Sequence, residues 1–311
     1  MCAAITKRNL LVGSLAVGGL VGLGLGVFVA KRPLTLVEWY LRGRMRIAGL
    51  EKKLMAVEGG QLAFFTNGRA AAPGQPTVVL VHGLGGSAGD WSQIIPSLSR
   101  HPLIIPELAG HGDSQCGEQL SEPDRLFETF CAQLDHAMAS SAASSPEKLV
   151  LVGNSLGGWL ALHYAVTFPE RVARLILVNS AGLRFDVDPN LLVPENREQA
   201  QTTVKAVFGP HAPKLPDFVL DAIVDQASRS PTKRYIGHTT VNYFDERLSE
   251  VSVPTDIIWG MQDPVIPLEH ARRFADEIPN ARLHCIEGCG HSPQVGNPRE
   301  FARLLRELLA R

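Results

Sequence analysis

Apolar residues along this chain fall into two kinds of run. The first is a single unbroken stretch, LLVGSLAVGGLVGLGLGVFVA over residues 10–30. The second kind begins after residue 56. There TVVLVHG (77–83), PLIIPEL (102–108), KLVLVGN (148–154), RLILVNS (174–180) and TDIIWG (255–260) are short, dense and rich in β-branched residues, and each ends in turn formers. Strands that are apolar on both faces are covered on both faces, and helical stretches separate most of these runs. The pattern predicts an α/β fold, a mostly parallel central sheet with helices on both sides. Between the runs at 174–180 and 255–260 lie about 75 residues, more than one crossover needs. In that interval FDVDPNLLVPENREQAQTTVKAVFG and LPDFVLDAIVDQ read as helices interrupted by prolines. Their apolar positions Val204, Val207, Phe208, Phe218, Val219 and Ile223 either line an apolar pocket or pack the insertion against itself.

Residues 10–30 would span roughly 31 Å as a helix, the thickness of a bilayer's hydrocarbon core. Lys7 and Arg8 precede the stretch, and Lys31 and Arg32 close it. A cleaved secretion signal is usually shorter and ends in a small-x-small site. Here Phe28 sits where a small residue is needed, Ser14-Leu15-Ala16 comes too early, and Cys2 precedes the run, unlike a lipoprotein cysteine. The expectation is therefore an uncleaved transmembrane anchor over residues 1–32, a juxtamembrane segment over 33–56, and a globular domain over 57–311. Ser14, Gly18, Gly22 and Gly26 share one helix face, suited to a homodimer contact but also ordinary for a glycine-rich span. Arg42, Arg44, Arg46, Lys52 and Lys53 follow the stretch. By the positive-inside rule they would keep the domain cytoplasmic; alternatively residues 33–55, with Trp39 and Tyr40, lie along the membrane surface.

With 45% hydrophobic and 20% charged residues, the composition is globular, and the net charge of −1 argues against a nucleic-acid partner. There is no repeat, and SSAASSP (140–146) reads as an exposed loop. Cys2, Cys116, Cys131, Cys285 and Cys289 form no CxxC pair and no zinc spacing, so no metal site is expected. They read as reduced structural residues, with a bridge or redox role for Cys285 and Cys289 left open.

The chemistry is carried by VGNSLGGWLALHYA. Gly153-Asn154-Ser155-Leu156-Gly157 is a G-x-S-x-G at a strand-to-helix turn, where glycines let the chain bend sharply and expose the serine. A serine hydroxyl needs a base. In folds that use this turn the partners follow in the order Ser, Asp, His, each in a loop after a strand. TDIIWGMQDPVIP puts Asp263 there, and RLHCIEGCGHSPQVGNP puts His291 there. The expected roles are nucleophile for Ser155, general base then acid for His291, and orientation of the imidazole for Asp263. An oxyanion would be held by the N–H groups of Leu156 and of Leu84 in VHGLGGSAGDW. His82 reads as structural, and Trp91 and Trp159 as either site neighbours or core.

HGLGG, PELAGHGDS, GNSLGG, WGMQDPVIP and GCGHSPQVGNP together resemble the α/β-hydrolase superfamily over roughly residues 60–311. Within it the chain is similar to bacterial lipases and esterases and to membrane-bound monoacylglycerol lipases. The resemblance implies an α/β-hydrolase fold with a helical cap insertion at about 184–244. It also implies hydrolysis of carboxylic acyl or lipid esters through an acyl-enzyme, without a cofactor. Glu107 departs from the pattern, which more often has aspartate there. Carbon–carbon bond hydrolases of ring-cleavage products also resemble GNSLGG, but they usually carry tryptophan where this chain has Ser292. A non-catalytic scaffold is the third reading.

Overall fold

The computed structural model of the chain describes residues 33–117, 119, 122–140, 148–230 and 243–311. The 10–30 stretch lies outside them, as do nearly all of the 140–146 loop and residues 231–242 of the insertion. Eight strands, β1 (Glu51–Val57), β2 (Gly60–Thr66), β3 (Thr77–Val81), β4 (Leu103–Pro106), β5 (Leu149–Asn154), β6 (Val172–Val178), β7 (Thr255–Gly260) and β8 (Arg282–Ile286), form one sheet. Their order is β1-β2-β4-β3-β5-β6-β7-β8. The β1–β2 and β2–β4 pairs are antiparallel, and β4-β3-β5-β6-β7-β8 pair in parallel.

The period of two along each strand divides the core into two layers. Val79, Val81, Leu151, Leu177, Ile257 and Trp259 face one side, with helices α2 (Pro123–Ala139) and α3 (Leu156–Thr167). Val78, Leu80, Val150, Val152, Ile176, Val178 and Ile258 face the other. That second layer is closed largely by Phe301, Leu304, Leu305 and Leu308, the apolar stripe of the last long helix (Pro298–Leu309). Their i, i+3, i+4, i+7 spacing aligns them on one helix face.

The segment expected as juxtamembrane over 33–56 is two different things. Helix α1 (Pro33–Ile47) buries Met45 in the second core layer and exposes Val37, Trp39, Tyr40 and Ile47. The chain then enters β1, which pairs along its whole length with β2. The sheet therefore begins at Glu51, not after residue 56, and residues 51–55 do not belong to a surface-lying helix. β1 was hard to see because it is an edge strand that buries no side chain fully, so it shows no dense apolar run. Among the described residues no helix is long and apolar enough to cross a membrane.

The insertion after β6 contains the short helix α4 (Pro189–Leu192), then α5 (Arg197–Phe208) and α6 (Asp217–Arg229). Helix α5 is capped by Asn196, whose side chain accepts from the Gln199 N–H. After β7 come α7 (Leu268–Glu277), the short α8 (Pro293–Gly296) and α9 (Pro298–Leu309).

Candidate active site

The site lies where the parallel strands end. β5 leads directly into Ser155, whose backbone has φ 55° and ψ −120°, an uncommon conformation for a residue with a side chain. The glycines on either side permit it. A Cβ on Gly153 would lie 2.2 Å from the Gly157 carbonyl oxygen, and one on Gly157 would lie 2.4 Å from that of Val81. Bonds from both directions hold the turn. The Ser155 N–H donates to the Val178 carbonyl, and its carbonyl accepts from Gly158, Trp159 and Ala181. Leu156 is the first residue of α3, so its N–H has no intrahelical acceptor and lies at the positive end of the helix.

Asp263 and His291 come together from the loops after β7 and β8: the ring Nδ1 of His291 is 2.8 Å from Asp263 Oδ2. The carboxylate is itself fixed. Asn179 Nδ2 donates to Oδ2 at 2.7 Å, and the Val265 and Ile266 N–H groups donate to Oδ1 at 2.7 and 3.2 Å. With Asp263 ionised as acceptor, Nδ1 of His291 carries the proton and Nε2 is left as the basic nitrogen.

Asn154 ties the serine turn to the histidine loop. Its Nδ2 donates to the His291 carbonyl at 3.1 Å and to the Val178 carbonyl at 3.0 Å, while its Oδ1 accepts from Gln294 Nε2. The insertion reaches the same loop, because the His291 and Ser292 N–H groups donate to the Ala206 and Val207 carbonyls of α5. Asn154, Asn179 and Gln294 are supports that motif reading passed over. Asn154 is the variable position of G-x-S-x-G, and Asn179, with φ 40°, looks in sequence like an ordinary strand-end turn residue.

Leu84 lies in the loop after β3, and that loop approaches the serine closely: a Cβ on Gly83 would lie 3.0 Å from the Ser155 Cβ. Buried His82 shapes the loop. Its Nδ1 is 2.7 Å from the Gly83 carbonyl, and its Nε2 accepts from the Leu108 N–H at 3.1 Å. An acceptor at Nε2 and a donor at Nδ1 define a neutral ring, and burial, with His111 beside it, lowers its pKa to about 3. His82 is therefore structural. Trp91 is fully buried against Phe301 in the second core layer, and Trp159 is buried in the first. Of the insertion's apolar candidates, Val204 is buried and Phe218 is 40% exposed. Cys116, Cys131, Cys285 and Cys289 are all free thiols.

A profile of the alpha/beta hydrolase family matches residues 78–304, which contain every residue named in this site. The human monoacylglycerol lipase ABHD6 is 26% identical over 325 aligned positions, covering 94% of this chain and 93% of that protein. The 2-hydroxy-6-oxo-2,4-heptadienoate hydrolase of Pseudomonas putida is 29% identical, covering 79% and 92%. Among solved structures, a membrane phospholipase A described as a bacterial virulence factor superposes with a TM-score of 0.74 at 26% identity, covering 98% of both chains. With the family profile spanning most of the chain and the strained serine turn, the Asp–His pair and the sheet order in place, the chain belongs to the alpha/beta hydrolase family.

Proposed function

We propose that this protein is a membrane-anchored serine hydrolase that cleaves carboxylic esters of lipids through an acyl-enzyme. The observation that carries the reading is the strained Ser155 turn joined through Asn154 to the loop of an Asp263-oriented His291. In the proposed reaction Ser155 Oγ attacks the ester carbonyl carbon while His291 Nε2 accepts its proton. The carbonyl oxygen gains the negative charge and is met by the Leu84 and Leu156 N–H groups. Collapse breaks the bond to the alcohol, which leaves with the proton from His291. Water then attacks the acyl carbon, giving a proton to His291, and the second collapse releases the acid as Ser155 regains its hydrogen.

Lipid esters as substrates draw support from the monoacylglycerol lipase and phospholipase A relatives and from the apolar 10–30 stretch, which suits an anchor. Ser155→Ala is expected to abolish hydrolysis of p-nitrophenyl acyl esters, with an unchanged circular dichroism spectrum. Turnover retained in that variant removes the nucleophile assignment, and failure of a fluorophosphonate probe to label Ser155 favours a non-catalytic scaffold. A second reading, carbon–carbon cleavage of a vinylogous diketone, is favoured by the Pseudomonas putida relative. Ser292 after the histidine weighs against it, and strong turnover of ring-cleavage products with poor ester hydrolysis would reverse the order.

A further inference from the structure

We infer that helix α1 holds the loop that presents the Leu84 N–H, with Leu41 and Arg42 as positioning residues for the oxyanion site. The inference rests on the proposed ester hydrolysis. Helix α1 packs on the single-turn helix Ala88–Trp91, which closes that loop, and also on α6 of the insertion. Leu41 seats against Gly89 so closely that a Cβ there would lie 3.1 Å from Leu41 Cδ1 and 3.3 Å from Leu41 Cβ.

A polar chain runs beside this contact. Arg42 Nη1 lies 2.8 Å from Asp113 Oδ2, and the Asp113 N–H donates to Glu107 Oε2 at 2.6 Å. The other oxygen of Glu107 accepts from the Ala88 N–H at 3.4 Å. Glu107 is buried, and a Cβ on Gly112 would come within 2.3 Å of its carboxyl carbon, so the carboxylate fills space that only glycine leaves. The residue after Glu107 donates to His82, whose ring in turn contacts the Gly83 carbonyl next to Leu84. Burial raises the Glu107 carboxyl to about 7, while Arg42 acts in the opposite sense. Glu107, the departure from the family's more usual aspartate, thus bridges the loop after β4 to the loop after β3, and α1 grips both.

The Arg42 side chain is 37% exposed, and an ion pair of that kind contributes little to global stability, so Arg42 can be truncated in the full chain without unfolding it. Circular dichroism checks that Leu41→Ala stays folded. Leu41→Ala and Arg42→Ala are expected to lower kcat on p-nitrophenyl butyrate roughly tenfold, short of the hundredfold or more that loss of an oxyanion donor costs. KM should change less than about twofold, because the soluble ester is bound elsewhere. Hydrogen exchange of the amides in residues 84–91 should quicken in both variants, and Arg42→Lys should restore most of the rate. Lys52→Ala, which removes the other cation on Asp113 from β1 and not from α1, should leave kcat and exchange unchanged. Unchanged kcat and exchange in both α1 variants would overturn the inference. So would a loss seen only with vesicle-borne substrate, or an equal loss in Lys52→Ala. Absence of ester turnover in the unaltered protein would instead count against the proposed function, and the exchange measurement would still decide the role of α1.

Discussion

At the scale of single residues, the Asp–His pair depends on Asn179, which hydrogen-bonds to the aspartate. Asn179 donates to Asp263 Oδ2, and its own Oδ1 accepts the N–H of Gly260 at the end of β7. Hydrogen bonds to charged groups contribute about 1.5–3 kcal/mol, and Asn179 is fully buried, so water does not replace it. Asn179→Ala is expected to lower the unfolding free energy by an amount of that order and to reduce kcat, as Asp263 loses one of its four donors, His291 Nδ1 included. Urea denaturation and ester assays check the two effects separately. His82 gives a residue-scale expectation with a pH signature. Its native pKa of about 3 lies below the unfolded value of 6.5. Between those limits the unfolded chain binds the extra proton, so this residue's contribution to stability is present above pH 6.5 and is lost as pH falls toward 3, by up to about 1.4 kcal/mol per pH unit. In His82→Gln that dependence is absent. The stability gap between wild type and variant should therefore narrow on acidification, as measured by denaturant melts at pH 7, 5 and 4.

At the scale of elements, the histidine loop is a junction of the sheet, the serine turn and the insertion. Gly290 is what lets them meet: a Cβ there would lie 2.3 Å from the Ala206 carbonyl oxygen and 2.7 Å from the Gly209 nitrogen. Gly290→Ala must push α5 off the loop and strain the bond from the His291 N–H to Ala206. Overpacking of this kind costs about 1–3 kcal/mol. The expected result is a folded protein with a depressed melting temperature and at least tenfold lower kcat. A variant with wild-type kcat would show that the insertion does not govern the position of His291. Elements of this kind were unevenly visible in sequence. Strands β3, β4, β5, β6 and β7 stood out because burial on both faces gives each a dense apolar run. Ser155 and Asp263 stood out because each follows such a strand in a loop rich in glycine or proline, and His291 because it comes next in order, in a glycine-bounded loop after the short strand β8. The β1–β2 hairpin did not, since β1 alternates exposed and half-buried positions; its clearest signal was the Glu58-Gly59 turn, with Gly59 at φ 74°. The supports Asn154, Asn179 and Glu107 were illegible as such. Their roles consist of contacts across as many as 140 residues of sequence, which no local pattern encodes.

At the scale of the whole molecule, α1 begins at Pro33, only two residues, Lys31 and Arg32, after the apolar 10–30 stretch ends. One side of α1 is committed to the domain through Leu41, Arg42 and Met45, while Val37, Trp39 and Tyr40 on it are exposed. Tryptophan and tyrosine favour the boundary between headgroups and hydrocarbon. Phe218, at the start of the insertion helix α6 against which α1 packs, is 40% exposed as well. An anchor at 10–30 would therefore deliver the insertion to the surface where lipid esters are concentrated, and would raise the encounter rate with bilayer substrate without changing the chemistry at Ser155. Deleting residues 1–32 while keeping α1 separates these contributions. Hydrolysis of a long-chain monoacylglycerol in vesicles should fall by tenfold or more, through loss of effective concentration at the surface. Hydrolysis of a short soluble ester should stay within about twofold, because every residue of the proposed catalytic set, Ser155, His291, Asp263 and the Leu84 loop, is retained. Equal losses on both substrates would assign the segment to folding or delivery. Equal retention on both would leave α1 and Phe218 as sufficient for membrane contact.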